Sequence, residues 1–143
     1  MMKFSLIISL VLIFSFGSFS QTSRKDVFFK DCTAKQFKTD LDTASNFILI
    51  DMRSVKQYKR SRIKGAIYAQ NTNVVFHLVE QYDKDLQVFI YCERGDESLT
   101  TAALLMRNGY KKIYNLREGI DDWYGEGYRL CKDKLVSSDM VDL

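Results

Sequence analysis

Leu86–Tyr91 reads Leu-Gln-Val-Phe-Ile-Tyr, a short and almost wholly apolar run, and Phe47–Ile50 is a second of the same kind. A strand with one wet face alternates apolar and polar residues. An unbroken apolar run is what a strand buried on both faces requires, and such strands belong to parallel sheets covered by helices. The segments around these runs carry helical signals. Thr33, followed three residues later by Gln36, reads as a capping box that opens a helix over 34–42. Val55–Arg60 reads as a charged helical turn and Gly65–Tyr68 as a further short strand. From Asn73 onward, Val75, Leu78, Val79 and Tyr82 fall at helical spacing. Ser98–Asn108 reads as a helix with Leu99, Ala102, Ala103 and Met106 on its apolar face and Gly109 as its stop. Lys112–Leu116 is another strand, and Ile120–Tyr124 a last short helix. The alternation predicts an α/β fold, one domain with a mostly parallel central sheet and helices on both faces. In such sheets ligands sit beyond the carboxyl ends of the strands. Chemistry is therefore expected just after Ile50 and Tyr91.

The 143 residues suit a single domain, and a formal charge of +3 is too balanced for a dedicated nucleic-acid binder. One histidine removes a Ser-His-Asp engine and any zinc site that needs two imidazoles. Three cysteines are too few for a disulfide scaffold, and the odd number leaves a free thiol in a monomer. At the front, a basic Met1–Lys3 precedes the apolar run Phe4–Phe16, and small residues Gly17, Ser18 and Ser20 stand before Gln21. This is the three-part secretory pattern. It predicts a signal peptide over 1–20, a domain over 21–143 with its core at about 31–130, and a periplasmic or secreted destination. The apolar run is shorter than a membrane crossing needs, so no stable span is expected after cleavage.

Cys92 follows the strongest strand, and Glu93-Arg94-Gly95-Asp96-Glu97 link it to the helix near Ser98. A short glycine-containing loop at a helix start turns backbone N–H groups inward and adds the positive end of the helix dipole. Sulfur held there is favoured as the reactive thiolate; a buried cysteine that merely ends a strand is the plainer reading of the same position.

Over about 31–130 the chain resembles the rhodanese-like sulfurtransferases. Asp51-Met52-Arg53 is similar to the family's Asp-x-Arg, and Tyr58 with Ile63-Lys64-Gly65-Ala66 to its Gly-His-Ile-x-Gly-Ala segment. Tyr91–Ser98 resembles the active-site loop, and Glu118–Trp123 the terminal Gly-Gly-x-x-x-Trp signature. The resemblance implies that Cys92 accepts a sulfane sulfur, becomes a persulfide and passes the sulfur on, with no metal or organic cofactor. Backbone N–H groups over 93–98 are then the anion cradle. The implied partners are a small sulfur donor and a protein persulfide or thiol acceptor. Asp51 and Arg53 are implied to be structural neighbours of the site. The six-residue loop from Cys92 to Glu97 has the length of sulfur handlers. Related phosphatases use one residue more and end in arginine, where this chain has Ser98.

Glu97 stands where many relatives carry arginine or threonine, so the loop holds Glu93, Asp96 and Glu97 against Arg94 alone. A charge about 8 Å from the sulfur at an effective dielectric near 20 is worth at most on the order of 2 kcal/mol. Its sign disfavours a dianion such as thiosulfate more than a persulfide donor. The alternative for Glu97 is an acid that complements the helix dipole. The remaining readings concern surface and core. Lys56, Lys59, Arg60, Arg62 and Lys64 form a basic run, read either as a solvated face or as an attractor of acidic partners, and Arg62 replaces a histidine frequent in the family. His77 is expected to be exposed and Trp123 to anchor the core. In the resembled fold the first strand and the terminal segment lie near one another, which implies a disulfide between Cys32 and Cys131 in an exported chain. Two other functions remain open, a non-catalytic binding module and a thiol redox sensor built on the same cysteine.

Overall fold

The computed structural model describes residues 28–132; the segment read as a signal peptide lies outside them. Its elements are β1 (Phe28–Cys32), α1 (Ala34–Thr43), β2 (Phe47–Asp51), α2 (Val55–Arg60), β3 (Ile67–Tyr68), α3 (Thr72–Val79), β4 (Gln87–Tyr91), α4 (Asp96–Arg107), β5 (Lys112–Leu116) and α5 (Gly119–Gly125). The sheet order is β1-β5-β4-β2-β3, and every strand pairing is parallel.

Period-two geometry divides β4 between two cores. Val88 and Ile90 face the helices α3 and α4, together with Val75, Leu78, Ala102 and Leu105. Phe89 and Tyr91 face α1, α2 and α5, together with Phe37, Tyr58 and Trp123. Phe89 lies flat against Tyr114 at 4.3 Å and meets the edge of Phe37 at 5.3 Å. Full burial of a ring such as Phe37 or Phe89 contributes about 1.5–3 kcal/mol. Trp123 is buried, with its indole N–H donated to the Arg129 carbonyl. His77 is exposed and bonded to Glu80.

Register aligns the strand ends that matter. Asp51 pairs with Tyr91 and Cys32 with Leu116, so the carboxyl ends of β2, β4, β1 and β5 finish at one edge. The ladder runs one step further, with Met52 N–H donating to the Tyr91 carbonyl at 2.9 Å and Arg117 N–H to that of Cys32 at 2.8 Å.

Several boundaries differ from the sequence expectation. Helix α3 ends at Val79, and Tyr82 is exposed beyond it. Helix α4 begins at Asp96 and buries Ser98, Thr101, Ala102 and Leu105, whereas Leu99 and Met106 are exposed. Its inward stripe includes two hydroxyls that are satisfied inside, Thr101 by Thr72 at 2.7 Å and Ser98 at the site described below. Gly65, at φ +83, forms the turn before β3 and is not part of the strand.

Candidate active site

The loop after β4 folds back so that two donors converge on one sulfur. Gly95 N–H lies 3.1 Å from Cys92 Sγ, and Ser98 Oγ lies 3.3 Å from the sulfur and 3.1 Å from the Gly95 carbonyl, so its single proton is shared between these two acceptors. Two glycines make that fold possible. Gly95 has φ +92, and a Cβ there would fall 1.8 Å from the Arg117 carbonyl oxygen. Gly119 has φ +66, and a Cβ there would fall 2.2 Å from the Glu93 carbonyl oxygen. Only glycine combines this conformation with such close backbone approach. The loop is therefore seated on the β5–α5 turn, where Ile120 N–H also donates to the Cys92 carbonyl at 3.0 Å.

Of the amides over 93–98, that of Gly95 reaches the sulfur itself; the second donor is a side chain. The first N–H groups of α4 have no partner one turn back, as in any helix, and their dipole end faces the loop. Cys92 is 4% exposed and forms part of the wall of a cavity of about 290 Å³. Met52, Arg53, Ser54 and Gln57 contribute to this cavity from the segment after β2, and Glu93, Arg94, Asp96 and Glu97 from the loop and α4. Arg94, Asp96 and Glu97 are exposed, Glu93 is half-buried and Ser98 is buried.

Glu93 is drawn aside. Its carboxylate accepts from Gln57 Nε2 at 2.7 Å and lies 4.0 Å from Arg53 Nη1. Gln57 does two things at once, because its amide oxygen accepts from Ser54 N–H at 3.1 Å and Ser54 Oγ at 2.7 Å in the capping box of α2. Sequence reasoning missed Gln57, although the Ser54–Gln57 spacing is the signal that finds it.

Asp51 and Arg53 form a buried pair, of which Arg53 reaches this wall. Arg53 Nη2 lies 2.7 Å from Asp51 Oδ2 and 2.6 Å from the Ser61 carbonyl, and Arg53 N–H caps Asp51 Oδ1 at 2.9 Å. Tyr91 donates its hydroxyl to Asp51 Oδ2 at 2.7 Å and accepts from Ile63 N–H at 3.2 Å. Burial, then the Asp51 charge, hold the Tyr91 phenol well above its ordinary range. Burial opposes the Arg53 charge, but the Asp51 hydrogen bond and charge outweigh it and the guanidinium pKa is raised. The pair fixes the segment that carries Met52 and Gln57, and Arg53 lines the same cavity as Cys92.

The disulfide expected between Cys32 and Cys131 is not formed, and all three cysteines are free. Cys32 ends the edge strand β1, with its Sγ toward the Lys30 carbonyl at 3.6 Å and Asp40 at 3.9 Å. Burial and then the Asp40 charge push its thiol up to about 11. Cys131 is held elsewhere, in an antiparallel bridge with Arg62 at the β3 side of the sheet. The basic run is also divided. Lys56, Lys59, Arg60 and Lys64 are exposed, but Arg62 is buried with its guanidinium 4.8 Å from the Tyr58 ring.

Comparison with known proteins agrees with this architecture. The chain is 25% identical over 96 residues to YrkF of Bacillus subtilis (strain 168), covering 67% of this chain and 51% of that protein, so it spans about half of that relative's length. It is 30% identical over 88 residues to thiosulfate sulfurtransferase GlpE of Actinobacillus succinogenes, covering 62% of this chain and 78% of that one. The solution structure of the rhodanese-like domain of the Anabaena sp. Alr3790 protein superposes with a TM-score of 0.62 at 20% identity, covering 71% and 77% of the two chains. The Rhodanese-like domain profile matches residues 33–126, and with the sheet order, the Cys92 loop and the buried Asp51–Arg53 pair in place, the chain belongs to the rhodanese-like domain family.

Proposed function

We propose that this chain is a sulfurtransferase or persulfide carrier in which Cys92 is the nucleophile. The observation that carries the reading is the sulfur itself, within hydrogen-bond reach of Gly95 N–H and Ser98 Oγ at the wall of an open cavity. Two donors aimed at one sulfur complement negative charge on it, in the thiolate and again in the persulfide. The cysteine attacks the outer sulfur of a donor, a new S–S bond forms, the donor's S–S bond breaks, and the leaving group keeps the electron pair. A second nucleophile reverses the exchange. In this reading the first N–H groups of α4 receive the outer sulfur, as helix N-termini favour anions. Relatives named thiosulfate sulfurtransferase and sulfurtransferase support this class.

Asp96 and Glu97 set the donor preference. Both are exposed at the cavity, where Arg94 is the cation of the loop. Thiosulfate brings two negative charges to this mouth and is expected to load Cys92 poorly, whereas an organic persulfide is less penalised. We further propose that the chain is exported, on the pattern of its first twenty residues.

Intact-mass analysis after exposure to glutathione persulfide, and separately to thiosulfate, tests the reading. A gain of one sulfur atom that dithiothreitol removes and Cys92→Ser abolishes supports it. A folded protein that gains no sulfur from either donor overturns it and leaves the binding module and the thiol redox sensor.

A further inference from the structure

A second and larger cavity, about 670 Å³, adjoins the first and shares Arg53, Gln57 and Glu93 with it. Its outer wall is built by the segment after α5. Tyr128 N–H donates to the Trp123 carbonyl at 3.2 Å, the Tyr128 ring packs on Trp123 at 5.0 Å, and the Arg62–Cys131 bridge closes with hydrogen bonds of 3.0 and 2.8 Å. That wall carries Arg129 and Lys132, and Arg60 faces them from the end of α2. Among the described residues no ion pair engages any of these three cations. The acids of this cavity are Asp121 and Glu93, and Glu93 is already held by Gln57. Tyr124, 73% exposed, adds an apolar ring at the rim.

Charge is thus sorted along one continuous depression. At the sulfur mouth Glu93, Asp96 and Glu97 stand against Arg94 and an Arg53 already paired with Asp51, whereas the neighbouring groove adds Arg60, Arg129 and Lys132 against Asp121. Thiosulfate does not fit that pattern, because its charge lies at the reacting sulfur. We infer that the large groove binds the body of a small peptide persulfide or thiol whose carboxylates lie several bonds from its sulfur, with Arg60, Arg129 and Lys132 on the carboxylates and Tyr124 along the peptide. The volume is in the range of small-molecule sites. This deepens the sulfur-transfer reading and rests on it. The step is Cys92–S⁻ with R–S–SH giving Cys92–S–SH and R–S⁻; the proton travels with the transferred sulfur and no outside oxidant or reductant takes part.

The test measures the rate of sulfur loading on the full chain by intact mass with two probes, glutathione persulfide and 2-hydroxyethyl persulfide, the second having no charge away from its sulfur. In the double variant Arg129→Ala, Lys132→Ala, loading by glutathione persulfide is expected to fall about five- to ten-fold, and loading by 2-hydroxyethyl persulfide less than about two-fold. Added salt on the unaltered protein is expected to reproduce the same divergence without any mutation. Equal losses for the two probes, or no loss for either, overturn the groove assignment while leaving Cys92 chemistry standing. Absence of loading from both probes in the unaltered protein overturns the sulfur-transfer reading itself.

Discussion

Cys32 ends β1 and Cys92 directly follows β4, two parallel strands of one sheet whose carboxyl ends lie at the same edge, yet the two sulfurs meet opposite surroundings. Cys92 receives the Gly95 N–H, lies within reach of the Ser98 hydroxyl and borders a cavity. Cys32 is fully buried and faces a carbonyl and the Asp40 carboxylate, acceptors that favour the neutral thiol. Position at a strand end therefore does not make a cysteine reactive. What distinguishes the two is the polarity of the groups turned toward the sulfur, which at Cys92 are Gly95 N–H and Ser98 Oγ.

The largest expected contrast is between the two thiols themselves. Under native conditions at pH 8, iodoacetamide followed by peptide mapping should modify Cys92 at least about 100-fold faster than Cys32, whose thiol is pushed up to about 11 and shielded from reagent. Comparable rates would erase the distinction. Gly95→Ala comes next, because its Cβ meets the Arg117 carbonyl at 1.8 Å in a left-handed conformation. It should cost about 3 kcal/mol or more in urea unfolding, whereas Gly65→Ala, with open space around it, should cost about 1 kcal/mol. Ser98→Ala removes one donor and is expected to slow Cys92 alkylation about five- to ten-fold at unchanged far-UV circular dichroism.

Cys32 also has a pH signature of opposite origin. Its acid is weaker in the folded chain than in the unfolded one, so between about pH 9 and 11 the unfolded chain loses its proton first and stability falls as pH rises. Cys32→Ala should flatten that part of the urea-midpoint profile relative to the parent. The smallest effect is expected from Gln57→Leu, which removes half of the α2 capping box and frees the Glu93 carboxylate. Loading by an anionic donor should slow by about two- to three-fold, with little change for 2-hydroxyethyl persulfide.

Much of the architecture is legible in the residues. The apolar runs at β2 and β4 and the Thr33–Gln36 capping box identify their elements almost to the residue, because burial on both faces and end-capping leave local marks. Strand β1 leaves none: Phe-Phe-Lys-Asp-Cys on a sheet edge is half exposed and mixes charge with apolar side chains. The inward face of α4 misleads for a related reason. Hydrophobicity points to Leu99 and Met106, but Ser98 and Thr101 are buried beside Ala102 and Leu105, since hydroxyls with partners inside cost little to bury. At the site, Cys92 and its loop can be found from the strand–loop–helix pattern. The diversion of Glu93 by Gln57, and the packing of the Arg129 segment beside α2, depend on contacts between residues distant in sequence, which periodicity does not encode.

The most direct measurement is peptide-resolved mass spectrometry of the folded chain after a limiting dose of glutathione persulfide, with free thiols and persulfides trapped by one alkylating reagent. The polarity argument requires the added sulfur on the Cys92 peptide, with the Cys32 peptide unmodified until the protein is unfolded. Sulfur found chiefly on Cys32 or Cys131, or a Cys92 thiol that neither alkylates nor accepts sulfur in the native state, would show that the Gly95 and Ser98 donors do not govern reactivity in this protein.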